Sequence, residues 1–162
     1  MTHLYPRSQI DVTILILQQD GAVMSAAINA TTLALVHAGI SLSSPVSSVT
    51  ISCLHDTPFL DPCGPEEIDL PTVTVACLAP PTDPDPEEDK NGKVTLINME
   101  TRLSIDRFQG MLKLGAQACA VISAEMDDVI RAWAEETQDR MTGGGHASVA
   151  PRAEIEDLMD ED

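Results

Sequence analysis

Apolar and polar positions fall into two periods along the chain. Over residues 10–17, Ile10, Val12, Ile14 and Ile16 alternate along one face of an extended segment. On the other face Asp11 and Thr13 give way to Leu15 and Leu17, which predicts an inner strand whose far end is covered on both sides. Asp20 and Gly21 supply turn chemistry, since glycine takes positive φ without steric cost. From Ser25 the period lengthens: Ala26, Ala27, Ala30, Leu33, Ala34, Val36 and Ala38 predict an alanine-rich helix stopped by Gly39. A helix so poor in charge is expected to lie between a sheet and a second apolar surface.

Period-2 segments recur at residues 49–54, 59–60, 72–78 and 93–98, giving four further strands after a Ser- and Pro-containing connection over 40–48. Residues 55–58 end the first of these with turn chemistry, and the brief 59–60 strand brings Asp61 to the sheet edge. The run PCGPEEIDLP at 62–71 reads as a loop, because two prolines and a glycine within it break regular structure. PPTDPDPEEDKNG at 80–92 has the composition of an acidic, proline-rich disordered insertion at the tip of a hairpin. Ser104 is a candidate N-cap with Asp106 in the first turn. Behind it Phe108, Met111, Leu112, Gly115, Cys119, Ile122, Met126, Val129, Ile130 and Trp133 keep helical spacing for about seven turns. Such a stripe is core-forming, and its last turns near Trp133 are expected to outrun the sheet and meet a neighbouring subunit. Gly143 to Gly145 ends order, leaving an acidic tail.

These elements predict an α/β fold of the α+β type: a mixed sheet, an Ala-rich helix and a long C-terminal helix, with the domain over 6–141 and a disordered acidic tail over 142–162. Composition narrows the class. The 162 residues suit one domain, and with aromatics at 2% the core must be aliphatic and Met-rich. No apolar run reaches ~18 residues and no signal-peptide core follows Met1, so a soluble intracellular protein without membrane contact is expected. The net charge of −17 is concentrated at 83–89 and 154–162, yet the remaining acids still outnumber the nine bases. Phosphate-backbone affinity comes mainly from Lys and Arg, so RNA would have to be held through a partner's positive charge. Cys53, Cys63, Cys77 and Cys119 lack metal or disulfide spacing and read as free thiols. His3, His37, His55 and His146 are isolated, and no metal site is expected.

Three runs then carry a resemblance: Pro-Arg-Ser-Gln-Ile-Asp at 6–11, Leu-Gln-x-Asp-Gly at 17–21 and Asn-Ala-x-x-Leu-Ala-Leu-x-x-Ala-Gly at 29–39. In this order and spacing they resemble the second half of an RNase PH domain, most of all the RNase PH-like ring subunits of the RNA exosome, of the type that is catalytic in archaea. The resemblance implies the RNase PH-like (ribosomal protein S5 domain 2-like) fold. It implies ring partners of the same family, RNA reached through the assembled complex, and a location in nucleus and nucleolus and also cytoplasm. In the family a preceding sheet-and-helix segment completes the domain and brings basic residues. Its absence here leaves three readings: a partner chain donates it, the gene product is incomplete, or the chain is a self-sufficient small α/β domain.

RNase PH-type enzymes cleave RNA from its 3′ end with phosphate as nucleophile, which demands a cationic anion pocket and well-placed carboxylates. In the family a Thr- or Ser-Arg pair after the Leu-Gln-x-Asp-Gly-x run cradles phosphate; here Val23 and Met24 stand at those positions, and the cradle is lost. A pair of aspartates six apart is matched by Asp61 and, with one methylene added, Glu67, preceded by Glu66. Asp61 and Glu67 therefore read as degenerate catalytic positions, or as no more than a solvated acidic loop. Arg7 is a candidate RNA contact, with an ion pair to Asp11 as its structural alternative. The expected function is a non-catalytic RNase PH-like subunit supporting 3′–5′ RNA processing and decay (rRNA processing, mRNA decay), needing no cofactor. The alternatives are an active phosphorolytic exoribonuclease using Asp61 and Glu67, with phosphate and Mg, and an acidic interaction module unrelated to RNA.

Overall fold

The computed structural model describes residues 4–79 and 93–142. In chain order these form α1 (Val23–His37), β1 (Val46–Leu54), β2 (Thr57–Leu60), α2 (Gly64–Asp69), β3 (Thr72–Leu78), β4 (Lys93–Met99) and α3 (Ile105–Met141). The expected acidic insertion at 80–92, the glycine run and the tail lie outside the described residues. The chain divides into residues 1–130 and a second unit of 131–162, in which the described residues complete α3 and hold the exposed Arg140–Glu136 pair at 2.6 Å.

The four strands make one sheet in the order β2-β1-β3-β4, every pairing antiparallel. The expected mixed sheet needs a parallel neighbour, and only the 10–17 strand, followed by a helical crossover, could have supplied one. Residues 10–17 are not a strand here. They run as an exposed irregular segment that bends at Leu17, with Leu15 81% and Leu17 96% accessible. The alternation that predicts a strand is present, but a ladder also needs a partner, and among the described residues no backbone group of 10–17 joins a backbone hydrogen bond.

Other bounds move for local reasons. β1 starts at Val46, three residues before the predicted strand, because Ser47 and Ser48 carry small hydroxyls that bury once bonded: Ser47 Oγ donates to Cys119 O at 2.9 Å and Ser48 Oγ to Val75 O at 2.9 Å. The predicted 62–71 loop contains α2. Proline near its start costs nothing there, and Glu66 accepts the Cys63 N–H at 2.9 Å, closing a capping box. β3 matches its predicted range, and β4 extends one residue further, with a register shift between Ala76 and Cys77. α3 begins directly after Ser104, with Asp106 in its first turn.

The sheet's two faces are built differently. On one, Val49, Ile51, Cys53, Val73, Val75 and Cys77 pack with Met111 and Cys119 of α3 into a single buried cluster. α3 approaches closely because Gly115 has no side chain: a Cβ there would stand 2.8 Å from Ile51 Cδ1. Burial, reinforced by the neighbouring Cys77 thiol, pushes Cys119 up to about 12. All four cysteines are free thiols.

On the other face α1 is held by polar contacts. Asn29 Nδ2 donates to Ser48 O at 2.9 Å and its Oδ1 accepts from Ser48 N at 2.7 Å, so one side-chain amide satisfies a stretch of β1 that β2 is too short to reach. Thr32 Oγ1 donates to Val46 O at 2.8 Å, and Thr50 Oγ1 bonds both Ser25 Oγ (3.2 Å) and Thr74 Oγ1 (3.1 Å). The helix ends as expected, with Gly39 at φ 71°. Its outer side is not covered: Met24, Ala26, Ala30 and Ala34 are exposed, and an open apolar groove of about 330 Å³ runs between α1 and Ile14.

Candidate functional site

The turn at 20–22 and the loop at 61–67, far apart in sequence, meet at the N-terminal end of α1. Gly21, at φ 94°, is what permits the approach; a Cβ would fall 2.3 Å from Pro62 O and 2.8 Å from Cys63 C. No other residue type fits that space, so the Asp-Gly pair is a close-contact requirement as well as a turn. Asp61, the first predicted carboxylate, follows β2 with φ 57°, its N–H donating to Thr50 O at 3.0 Å and its side chain in solvent.

Glu67, the second predicted carboxylate, is already engaged. Its Oε2 accepts the Ala22 N–H at 3.2 Å, the residue that opens α1 in left-handed conformation (φ 50°). Glu66 accepts the Cys63 N–H, and Asp20 Oδ1 accepts the Gly64 N–H at 3.4 Å. Three carboxylates thus close this corner, each bonded to a main-chain N–H at or near the start of a helix, where the dipole favours negative charge. The sequence reading missed this capping role. Its signal was Gly-Pro-Glu-Glu, a proline followed by two acids, which is the chemistry of a helix start.

Val23 and Met24 occupy the first turn of α1, as their positions require. Met24 is exposed, lines the apolar groove, and its Sδ accepts from Asn98 Nδ2 at 3.6 Å. Neither offers a charge or an N–H or O–H beyond the backbone. Arg7 is in the N-terminal turn, at φ 61° and exposed. The proposed pair with Asp11 is not formed: Asp11 accepts from Gln9 Nε2 at 2.7 Å, and the two ion pairs among the described residues, Arg107–Asp56 and Arg140–Glu136, do not include Arg7. Among the described residues no group of three or more His, Cys, Asp or Glu is placed to hold a metal ion. The corner therefore sets the 61–67 loop, with Glu66 and Glu67, against Asp20 and the N-terminal end of α1, where Val23 and Met24 stand. It has the carboxylates of an acid–base site, while Val23 and Met24 bring none of the charge that anion transfer needs.

The 3′ exoribonuclease family, domain 1 (RNase_PH), matches residues 1–41. Over 136 residues, 84% of this chain, it is 32% identical to exosome complex component SKI6 of Saccharomyces cerevisiae. This chain is similar to the RNase PH family. Other relatives agree: it is 35% identical over 130 residues to exosome complex component ski6 of Schizosaccharomyces pombe and 31% over 131 residues to exosome complex component RRP41 of Homo sapiens. The chain spans about half the length of these relatives, 51%, 50% and 50% respectively. Solved structures carry the same fold. Rice (Oryza sativa) Rrp46 superposes with a TM-score of 0.53 at 21% identity, over 71% of this chain and 49% of that one. The C. elegans cell-death-related nuclease 5 superposes with a TM-score of 0.57 at 17% identity, over 70% and 58%.

Proposed function

We propose that this chain serves as a non-catalytic RNase PH-like subunit of an exosome ring, supporting 3′–5′ RNA processing and decay carried out by associated nucleases. The relatives named exosome complex components support the assembly. The observation that carries the non-catalytic reading is the corner itself: aliphatic Val23 and Met24 begin α1, while the Glu67 carboxylate takes the Ala22 N–H. An incoming phosphate would meet negative charge where a transfer site needs positive charge. The chain's charge of −17 argues that RNA is held by neighbouring subunits of the ring and not by this one. Nucleus, nucleolus and cytoplasm are the compartments this role predicts. Among the described residues no helix is long and apolar enough to cross a membrane.

The test is phosphorolysis. Purified chain, alone and with ring neighbours, is incubated with single-stranded RNA and inorganic phosphate. No nucleoside diphosphate above background is expected. Release that disappears on Asp61→Asn establishes the enzyme reading with Asp61 and Glu67 instead. Co-purification from cells without any exosome subunit favours the acidic interaction module.

A further inference from the structure

The sheet face that packs on α3 carries two nucleophilic groups with no task in the corner beside α1. Cys77 of β3 and Cys119 of α3 are both shut off from solvent, at 1% and 0% accessibility. Ser47 stands directly across from Cys77 in the β1–β3 ladder, and its Oγ donates to Cys119 O at 2.9 Å. The Cys119 thiol donates to Val75 O at 3.7 Å, two residues before Cys77 on the same strand. The Cys77 and Cys119 side chains also share a hydrogen bond. This placement continues a register set one helical turn earlier. Gly115 lies on Ile51 and Cys119 on Ser47, so α3 runs antiparallel to β1 and parallel to β3. A Cβ on Gly115 would stand 3.4 Å from Val75 Cβ. From there to Cys119 the helix rises about 6 Å, and from Val75 to Cys77 the strand advances about 6.7 Å, so the second pair keeps nearly the separation of the first. A disulfide asks for Cβ atoms roughly 3.5–4.5 Å apart. The other cysteines sit elsewhere: Cys53 is about 20 Å along β1 from Ser47, and Cys63 caps α2 against Gly21.

We propose that Cys77 and Cys119 are a redox-operated staple, closing to a disulfide between β3 and α3 when α3 lifts from the sheet in the presence of a peroxide. While α3 is seated, burial raises both thiols, and an enclosed, protonated sulfur does not attack an oxidant. A local opening supplies both water and thiolate. The first thiolate then attacks a peroxide oxygen, breaking the O–O bond and leaving a sulfenic acid and hydroxide. As α3 reseats, the second thiolate attacks the sulfenic sulfur, the S–S bond forms and the sulfenic oxygen departs as a second hydroxide. The two protons released by the thiols convert both hydroxides to water, so two thiols give up two electrons and one hydrogen peroxide becomes two waters. A thiol reductant reverses the bridge by exchange. The staple thus answers to opening of the apolar face and not to oxidant alone. Once closed it ties a loop of about 40 residues, which strongly restricts the unfolded chain.

The experiment exposes the purified 162-residue chain to hydrogen peroxide and maps its cysteines by peptide mass spectrometry without reductant. Peptides joined through Cys77 and Cys119, lighter by two hydrogen atoms and parted by dithiothreitol, are expected. Urea below the unfolding transition should speed their formation, because opening gates the reaction. The cross-linked monomer should have an unfolding equilibrium constant at least ~100-fold below that of the reduced chain. Cys53→Ala combined with Cys63→Ala should keep the bridge, and Cys77→Ala should abolish it. The staple is overturned if Cys53 or Cys63 takes a place in the bridge, or if Cys77 and Cys119 go to sulfinic acid unlinked. It is overturned equally if both remain thiols at urea concentrations where amide exchange around 115–119 has accelerated, or if urea leaves the rate of bridging unchanged. A cross-linked chain that unfolds more readily than the reduced one overturns it as well, since the bridge would then be strain. None of these readouts involves phosphorolysis, so the function proposed above stands or falls separately.

Discussion

The two faces of the sheet solve the same problem with opposite chemistry. Toward α3, Ile51, Val73, Val75 and Met111 are wholly buried and apolar. Toward α1, Ser25, Asn29, Thr32, Ser48, Thr50 and Thr74 make a polar seam in which side chains bond to backbone and to one another. Burial of aliphatic surface is non-directional and supplies most of the folding free energy; the hydrogen-bonded seam adds less net energy but fixes where α1 sits. That position matters, because α1 carries both the carboxylate-closed corner and the groove.

The sharpest break in this contrast is Ile51→Ala, which empties the centre of the apolar face. It should cost about 3–4 kcal/mol in urea unfolding, the usual range for a core truncation that cannot collapse. Asn29→Ala attacks the polar face at its most demanding point, stripping partners from both the N–H and the C=O of Ser48; about 2 kcal/mol is expected by the same measurement.

Alkaline pH separates the faces without a change to α1. Burial holds the Cys119 thiol neutral to about 12, whereas the unfolded chain loses that proton from its ordinary value of 9.0 upward. Above pH 9 the unfolded state therefore binds fewer protons, and stability falls as pH rises toward 12, by at most about 1.4 kcal/mol per pH unit from this group. Thermal melts from pH 8 to 10.5 should show the wild type losing stability more steeply than Cys119→Ala. The smallest effect is expected from Thr50→Val combined with Thr74→Val. Removing both partners of a buried bond with isosteric methyls leaves no orphan between them, and Ser25 Oγ, which also loses Thr50, keeps its bond to Ala22 O, so the double variant should stay within about 1 kcal/mol of the parent in urea.

Much of this was legible in the amino-acid pattern. β3 and β4 announce themselves through alternation of β-branched residues, and α3 through a stripe from Phe108 onward that the packed cluster uses at Met111, Gly115 and Cys119. The fold class came from these periods, and the RNase PH resemblance from the separate runs at 6–11, 17–21 and 29–39. Residues 10–17 read as a strand because alternation is a local signal, whereas a ladder is a relation between segments. The 64–69 helix was hidden because Pro and Gly were weighed as breakers, although at a helix start proline fits and acids follow it. At the candidate site, that Val23 and Met24 bring neither charge nor a side-chain N–H or O–H was visible from residue type alone. The employment of Glu67 was not, since a carboxylate in an acidic loop looks the same on paper whether it faces solvent or a helix N–H.

The register shift in the hairpin has its own consequence. Val94 stands opposite Cys77 and Leu96 opposite Ala76, so Thr95 is the surplus residue, its Oγ1 bonded to Ala76 O at 3.2 Å. Such an irregularity increases local twist and spoils the flatness on which stacking of identical strands depends. β4 is the sheet's last strand and shows partly exposed Val94, Leu96, Ile97 and Met99. One superfluous threonine thus acts as a built-in safeguard against fibre-like polymerisation.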